Sequence, residues 1–120
     1  MFDHIGLRVA DLQASIRFYT ALLGALGHVP GPQGADYAGF GPRDAPAFWL
    51  HGGARSDGGG CHVAFAAADR DAVHRFHAAG LAAGGRDNGA PGLRPDYGPT
   101  YYAAFIVDAD GNNVEAVCHR

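Results

Sequence analysis

The chain has 120 residues, of which 48% are hydrophobic and 18% are charged, and its formal net charge at pH 7 is -3. This composition favours a single domain of ordinary size with a buried core. The nine basic residues form no stripe, which argues against nucleic acid or a membrane as partner and favours a small-molecule substrate. No signal peptide or membrane span is predicted, so we expect a cytoplasmic location and reduced cysteines.

A segment near the N-terminus is repeated in the second half of the chain. The stretch HIGLRVADLQASIRFYTALLGALG, residues 4–27, aligns without a gap with HVAFAAADRDAVHRFHAAGLAAGG, residues 62–85. The alignment matches His4 with His62. Because the repetition occurs only once, it predicts two fused modules related by a pseudo-twofold axis and not a solenoid.

The first module is predicted to contain a strand, a helix and three further strands. Residues 2–9 alternate, with His4 on one face and Leu7 on the other. Asp11 is a favourable N-cap for an amphipathic helix that ends near Gly24. Gly- and Pro-containing turns then separate three strand candidates, at residues 26–30, 36–41 and 47–51.

The second module repeats this beginning after a Gly-rich linker at residues 53–60. A strand is predicted at 61–67, and Asp69 is the expected cap of the second helix. The chain is thus predicted to form one domain, which consists of two modules at residues 1–52 and 61–120. The remaining predicted elements are a long loop at 86–100 and two strands at 101–107 and 113–118, joined as a hairpin by DADGNN.

Two histidines and one glutamate are candidate metal ligands. By parity, His4 and His62 lie on the face of their strands opposite the helices, and the pseudo-symmetry directs both toward one shared concavity. Glu115 lies among β-branched neighbours, where an unpaired carboxylate is costly to bury, so it needs a cation. Two imidazoles and a carboxylate form a facial triad suited to Fe(II), Mn(II), Zn(II) or Ni(II). Backbone-bonded histidines are the alternative.

The predicted loop carries polar and aromatic residues suited to a small oxygenated ligand, although a solvated surface loop is the alternative. Cys61 and Cys118 are expected to be small buried residues. Candidate substrate-binding residues across the chain are Arg8, Trp49, His51, Arg86, Asn88, Arg94, Tyr97 and Tyr101.

The sequence resembles the vicinal oxygen chelate superfamily, which contains glyoxalase I, fosfomycin-resistance proteins, extradiol dioxygenases and bleomycin-resistance proteins. The segments FDHIGLRVADLQASIRFYTALLGALG, CHVAFAAADRDAV and FIVDADGNNVEAV are similar to its recurring motifs. The resemblance implies an α+β fold of two tandem βαβββ modules forming a half-open barrel. It also implies metal ligands at His4, His62 and Glu115, with Glu115 also catalytic, and a homodimer that closes the sheets.

The chain departs from the glyoxalase pattern at a fourth ligand. Glyoxalase I-like members carry a glutamate in the last strand of module one, and that position falls here on Trp49 or Leu50. We expect a divalent-metal-dependent enzyme of lyase or isomerase type, acting on a small oxygenated metabolite or toxin, with little glyoxalase activity. The alternatives are an extradiol-type Fe(II) dioxygenase and a metal-free, ligand-sequestering protein like the bleomycin-resistance members.

Overall fold

The protein consists of two similar α+β modules, as predicted. The computed structural model describes residues 1–53 and 59–120, so most of the predicted linker, residues 54–58, lies outside the described residues. Module one contains β1 (Ile5–Val9), α1 (Leu12–Gly24), β2 (Val29–Gln33), β3 (Tyr37–Gly41) and β4 (Phe48–Gly52). Module two contains β5 (His62–Ala66), α2 (Arg70–Ala82), β6 (Arg86–Leu93), β7 (Tyr102–Val107) and β8 (Asn113–Cys118).

Each module builds one sheet of four strands with the same topology. The strand order is β1-β4-β3-β2 in the first sheet and β5-β8-β7-β6 in the second. In both sheets the first and last strands of the module pair in parallel, and the other pairs are antiparallel. The predicted alternation is present in β1, where Leu7 and Val9 are buried while Gly6 and Arg8 are exposed.

Both helices begin at the predicted aspartates. Oδ1 of Asp11 accepts a hydrogen bond of 3.1 Å from the backbone N–H of Ala14. Oδ1 of Asp69 accepts the corresponding bond from Ala72 at 2.8 Å. Such a cap satisfies a backbone donor that the helix itself leaves free, and it is typically worth about 1 kcal/mol. Among the described residues, no helix is long and apolar enough to cross a membrane.

The two modules share one hydrophobic core, and they meet through α1 and α2. The rings of Phe48 and Phe65, one from each module, lie 5.2 Å apart in a T-shaped arrangement. The hydroxyl of Tyr19 donates to Oδ2 of Asp108 at 2.5 Å, a bond from α1 to the β7–β8 turn. Burial, followed by the charge of Asp108, raises the pKa of Tyr19, so this phenol stays protonated and donating.

The prediction of a single long loop at 86–100 is wrong, because Arg86–Leu93 forms β6 at the edge of the second sheet. Its sequence contains Gly89 and Pro91 and no β-branched residue, so nothing in its composition favours a strand. An edge position tolerates such residues, and the pairing with β7 shifts register on both sides of Gly89.

Two smaller predictions are also corrected. The second strand of module one lies at Val29–Gln33 and not at 26–30, because residues 25–28 continue the turn that ends α1. Cys118 is buried as expected, but Cys61 is exposed because it precedes the first residue of β5 and lies outside the sheet. Both cysteines are free thiols.

Candidate functional site

Module two brings two of the predicted metal ligands into contact. The register of β5 and β8 places Ala64 opposite Glu115 and His62 opposite Asn113. Nε2 of His62 lies 2.8 Å from Oε1 of Glu115. On β7, Phe105 lies opposite Glu115. We call the sheet surface formed by His62, Asn113, Glu115 and Phe105 the module-two face.

The carboxylate of Glu115 is enclosed on this face, whereas the imidazole of His62 is open to solvent. The side chain of Glu115 is 2% exposed and that of His62 is 55% exposed. The hydroxyl of Tyr101 donates to Oε2 of Glu115, so both carboxylate oxygens have a partner. Burial and this interaction with Glu115 raise the pKa of Tyr101 to about 12, which keeps the phenol protonated at neutral pH.

The geometry of the pair fits two neighbouring ligands of one divalent ion. Two ligand atoms that each bind an ion at about 2.1 Å lie about 3 Å apart when their bonds are at right angles. The observed 2.8 Å between Nε2 of His62 and Oε1 of Glu115 is close to that value. Tyr101, which orients the carboxylate from behind, is the kind of outer partner that metal-binding carboxylates have. In the structure itself, the Nε2–H of His62 donates to the carboxylate.

His4 lies apart from this pair. It precedes β1 and is exposed, and its Nδ1 lies 2.6 Å from Oδ1 of Asp3. Among residues 1–53 and 59–120, no group of three or more His, Cys, Asp or Glu side chains could hold a metal ion. The predicted ligands His4, His62 and Glu115 therefore do not form one metal-binding group within the described part of a single chain. The physical reason is that His62 and Glu115 lie on paired strands of one sheet, whereas His4 precedes β1, which belongs to the other sheet.

The open surface near His4 has an aromatic side chain where module two has its glutamate. Gly6 of β1 lies opposite Trp49, just as Ala64 lies opposite Glu115, so the corresponding residue is Trp49 and not Leu50. Leu50 is fully buried in the core. The indole of Trp49 lies so close to Gly39 that a Cβ there would come within 2.6 Å of the ring.

His51 lies two residues after Trp49, opposite Arg8 on β1. His4, Trp49 and His51 line one open cavity of about 320 Å³ in module one, together with Asp3 and Pro46. Arg8 is exposed and lines a separate cleft beside Asp110. Module one thus offers imidazoles and an indole, and it lacks a carboxylate equivalent to Glu115.

A second cavity lies on the module-two face, and it is lined by three of the predicted substrate-binding residues, Asn88, Arg94 and Tyr97. This cavity has a volume of about 310 Å³. Arg86 is exposed at the start of β6, opposite Val107. Phe105 and Asn113 were not among the predicted site residues, although the alternation that places Glu115 on this face also places Asn113 there. The lining residues are Asn88, Gly89, Arg94, Tyr97, Phe105 and Asn113.

The sequence itself matches a known family over nearly its whole length. The family model of the Glyoxalase/Bleomycin resistance protein/Dioxygenase superfamily matches residues 1–116. The chain belongs to this superfamily. No curated protein matches the chain.

Solved structures with the same fold are numerous. A crystal structure of a glyoxalase/bleomycin resistance protein from Albidiferax ferrireducens T118 is 34% identical, covers 98% of both chains and has a TM-score of 0.83. A glyoxalase/bleomycin resistance protein/dioxygenase family enzyme from Burkholderia phytofirmans PsJN is 15% identical, with 98% of both chains covered and a TM-score of 0.76. The fosfomycin resistance protein FosX from Mesorhizobium loti is 18% identical, covering 98% of this chain and 90% of that chain, with a TM-score of 0.67.

These likenesses confirm the glyoxalase-like fold that the resemblance to the vicinal oxygen chelate superfamily implied. The two sheets are open and not closed into barrels, as expected for half-open modules. At 15% and 18% identity, the second and third structures support the fold alone. For this member of the superfamily, function has to be inferred from the side chains on its own sheets.

Proposed function

We propose that this protein is a divalent-metal-dependent enzyme of lyase or isomerase type that acts on a small oxygenated metabolite or toxin. The observation that carries the proposal is the contact between the exposed imidazole of His62 and the buried carboxylate of Glu115. These two residues would hold the ion from one chain. The third ligand would be His4 of a second copy, which makes the active form a homodimer.

A second copy is the natural source of the third ligand for two reasons. His4 is exposed, with 60% of its side chain open to solvent, so it is accessible to another molecule. A twofold dimer is isologous, so docking His4 of one chain on the module-two face of the other creates two identical sites at once. It would also cover sheet edges and faces that one chain leaves open.

The chain's own groups would divide the work within this site. Tyr101 donates to Glu115 and fixes the orientation of its carboxylate. A bound divalent ion would supply Lewis-acid stabilisation of negative charge on a substrate oxygen. Trp49 stands where a second carboxylate would be needed for glyoxalase-type proton transfer, so isomerisation of the hemithioacetal of methylglyoxal is not the reaction we propose.

The experiment is a complementation test with two inactive variants. His4→Ala and His62→Ala each remove one ligand from every site, so each homodimer should lose metal binding. When the two variants are unfolded and refolded together, a mixed dimer regains one intact site, made from His4 of one chain and His62 of the other. Random mixing should therefore restore about a quarter of the wild-type metal content.

Two controls make this test decisive. His74→Ala removes an exposed imidazole from α2, and it should leave metal content unchanged. Wild type stripped by a chelator should gain thermal stability when Zn(II), Mn(II), Ni(II) or Fe(II) is returned, because an ion that binds only the folded state stabilises it by mass action. Two results would contradict the proposal. One is no gain in melting temperature with any of these ions, and the other is wild-type metal content in a chain that carries both His4→Ala and His62→Ala. No recovery on mixing would exclude the shared site.

A metal-free ligand-sequestering role is the second candidate, and one observation favours it. Both oxygens of Glu115 already have hydrogen-bond partners, so this carboxylate is satisfied without an ion. The aromatic surface of Tyr37 and Trp49, whose rings lie 6.3 Å apart, would suit a flat ligand. The same stripping experiment separates the candidates, since a sequestering protein would show no change in melting temperature with any of the four ions.

A further inference from the structure

We propose that the second cavity of the module-two face binds the acidic group of the substrate, a carboxylate or a phosphonate-like oxyanion, with Arg94 as its anchor. The inference rests on the proposed function, because it assigns the reacting part of the same molecule to His62 and Glu115. It narrows the substrate class from any small oxygenated compound to a small oxygenated acid.

Arg94 is held in a fixed orientation with its charge uncompensated. Its Nη1 donates to the carbonyl of Gly92 at 2.9 Å, and its Nη2 donates to the carbonyl of Ala90 at 2.7 Å. Its guanidinium carbon lies 5.4 Å from the centre of the Phe105 ring. Three of its five N–H donors have no partner among residues 1–53 and 59–120 and are available to a ligand. Within the described part of the chain, no carboxylate forms an ion pair with this guanidinium.

The other polar groups of the cavity also donate hydrogen bonds. The amide nitrogen of Asn88 donates to Oδ1 of Asn113 at 3.2 Å, and the amide nitrogen of Asn113 has no acceptor among the described residues, so it can donate to a ligand. Tyr97 adds a phenol, and its side chain is exposed. Of the described residues that line the cavity, none is Asp or Glu. The nearest acid in sequence, Asp87, is already bonded to His77 and to the backbone N–H of Gly89.

The cavity lies beside the His62–Glu115 pair. Asn113, which lines the cavity, lies opposite His62 in the sheet register. The ring of Phe105, another lining residue, lies 6.2 Å from the imidazole of His62. The negative charge of Glu115 does not face the cavity as a free group, because both of its oxygens are bonded and its side chain is buried. An acid seated at Arg94 would therefore extend toward His62 without meeting an unpaired carboxylate.

The test measures binding of simple probes to the chelator-treated protein, so it does not depend on a metal or on turnover. Acetate and methylphosphonate represent planar and tetrahedral oxyanions, and acetamide is the neutral control. In NMR titrations at low ionic strength, one or both anions should shift resonances of the cavity residues, with acetamide binding at least about tenfold more weakly. Whichever anion binds more tightly identifies the acidic group.

Two pairs of variants assign this binding to the cavity. Arg94→Gln should weaken anion binding about tenfold, whereas Arg75→Gln, the same change on the exposed face of α2, should leave it within about twofold. Asn88→Asp places a negative charge in the cavity without removing the bonds of Arg94, and it should also abolish anion binding. Gln13→Glu makes the same change in charge on the exposed face of α1 and should have no effect.

The result that would overturn the inference is equal binding of acetamide and the anions, or equal losses in a variant and its control. If Arg94→Gln fails to fold, as a melting curve would reveal, Asn88→Asp alone decides the outcome. The probes bind without a metal, so the anion titration and the complementation test of His4 and His62 are independent. Failure of either experiment leaves the result of the other unaffected.

Discussion

Replacing Tyr101 by phenylalanine tests how the candidate site is held together. The change removes only the hydroxyl that donates to Glu115, whose side chain is 2% exposed. A hydrogen bond to a charged group contributes about 1.5–3 kcal/mol. Tyr101 itself is half-buried, so water can partly replace the hydroxyl, and we expect the lower end of that range. With an unfolding entropy of about 2.1 cal/mol/K per residue over 120 residues, a loss of about 1.5 kcal/mol lowers Tm by about 6 °C.

The assay is thermal unfolding of the chelator-treated protein, followed by titration with a divalent ion. Loss of an outer partner typically weakens metal binding by about 10–100-fold, so Tyr101→Phe should lower affinity at least about tenfold. Tyr37→Phe is the matched control, because Tyr37 lies at the surface of β3 and contacts Trp49 through its ring. A Tm within about 1 °C of wild type for Tyr101→Phe, with unchanged metal affinity, would refute the orienting role.

Three further predictions concern Trp49 in module one, the hydrogen bond between the modules and the effect of alkaline pH. Trp49→Glu should strengthen metal binding and, in a glyoxalase assay, increase turnover of the methylglyoxal–glutathione hemithioacetal by about a hundredfold. Leu50→Glu should instead unfold the protein, because Leu50 is fully buried. Tyr19→Phe should lower the free energy of unfolding, measured in urea, by about 1–3 kcal/mol, because Asp108 loses its donor from α1; an unchanged midpoint would contradict this. The pKa of Tyr101 is raised from 10.0 to about 12, so the contribution of its hydrogen bond to stability is full below pH 10.0 and is lost as the pH rises to about 12. The difference in the free energy of unfolding between wild type and Tyr101→Phe should therefore shrink over this pH range, while tyrosinate absorbance rises.

Local patterns were sufficient to predict the repeated architecture and to place His62 and Glu115 on one face of the second sheet. Asp11 and Asp69 cap their helices because capping depends on residues three positions apart in sequence. The period of two along a strand placed His62 and Glu115 on the faces where they are found, and their contact confirms that they are neighbours. These features follow from short-range stereochemistry, which the sequence states directly.

Only the tertiary structure decided what depends on strand register and on the packing of one module against the other. β6 could not be predicted from its composition, since its pairing with β7 and not its own preference makes it a strand. The choice of Trp49 over Leu50 required the β1–β4 register, because a shift of one residue exchanges the two faces. His4 stays outside the contact of His62 with Glu115 because β5 pairs with β8 in one sheet and β1 belongs to the other, and a period-two pattern does not encode which strands pair.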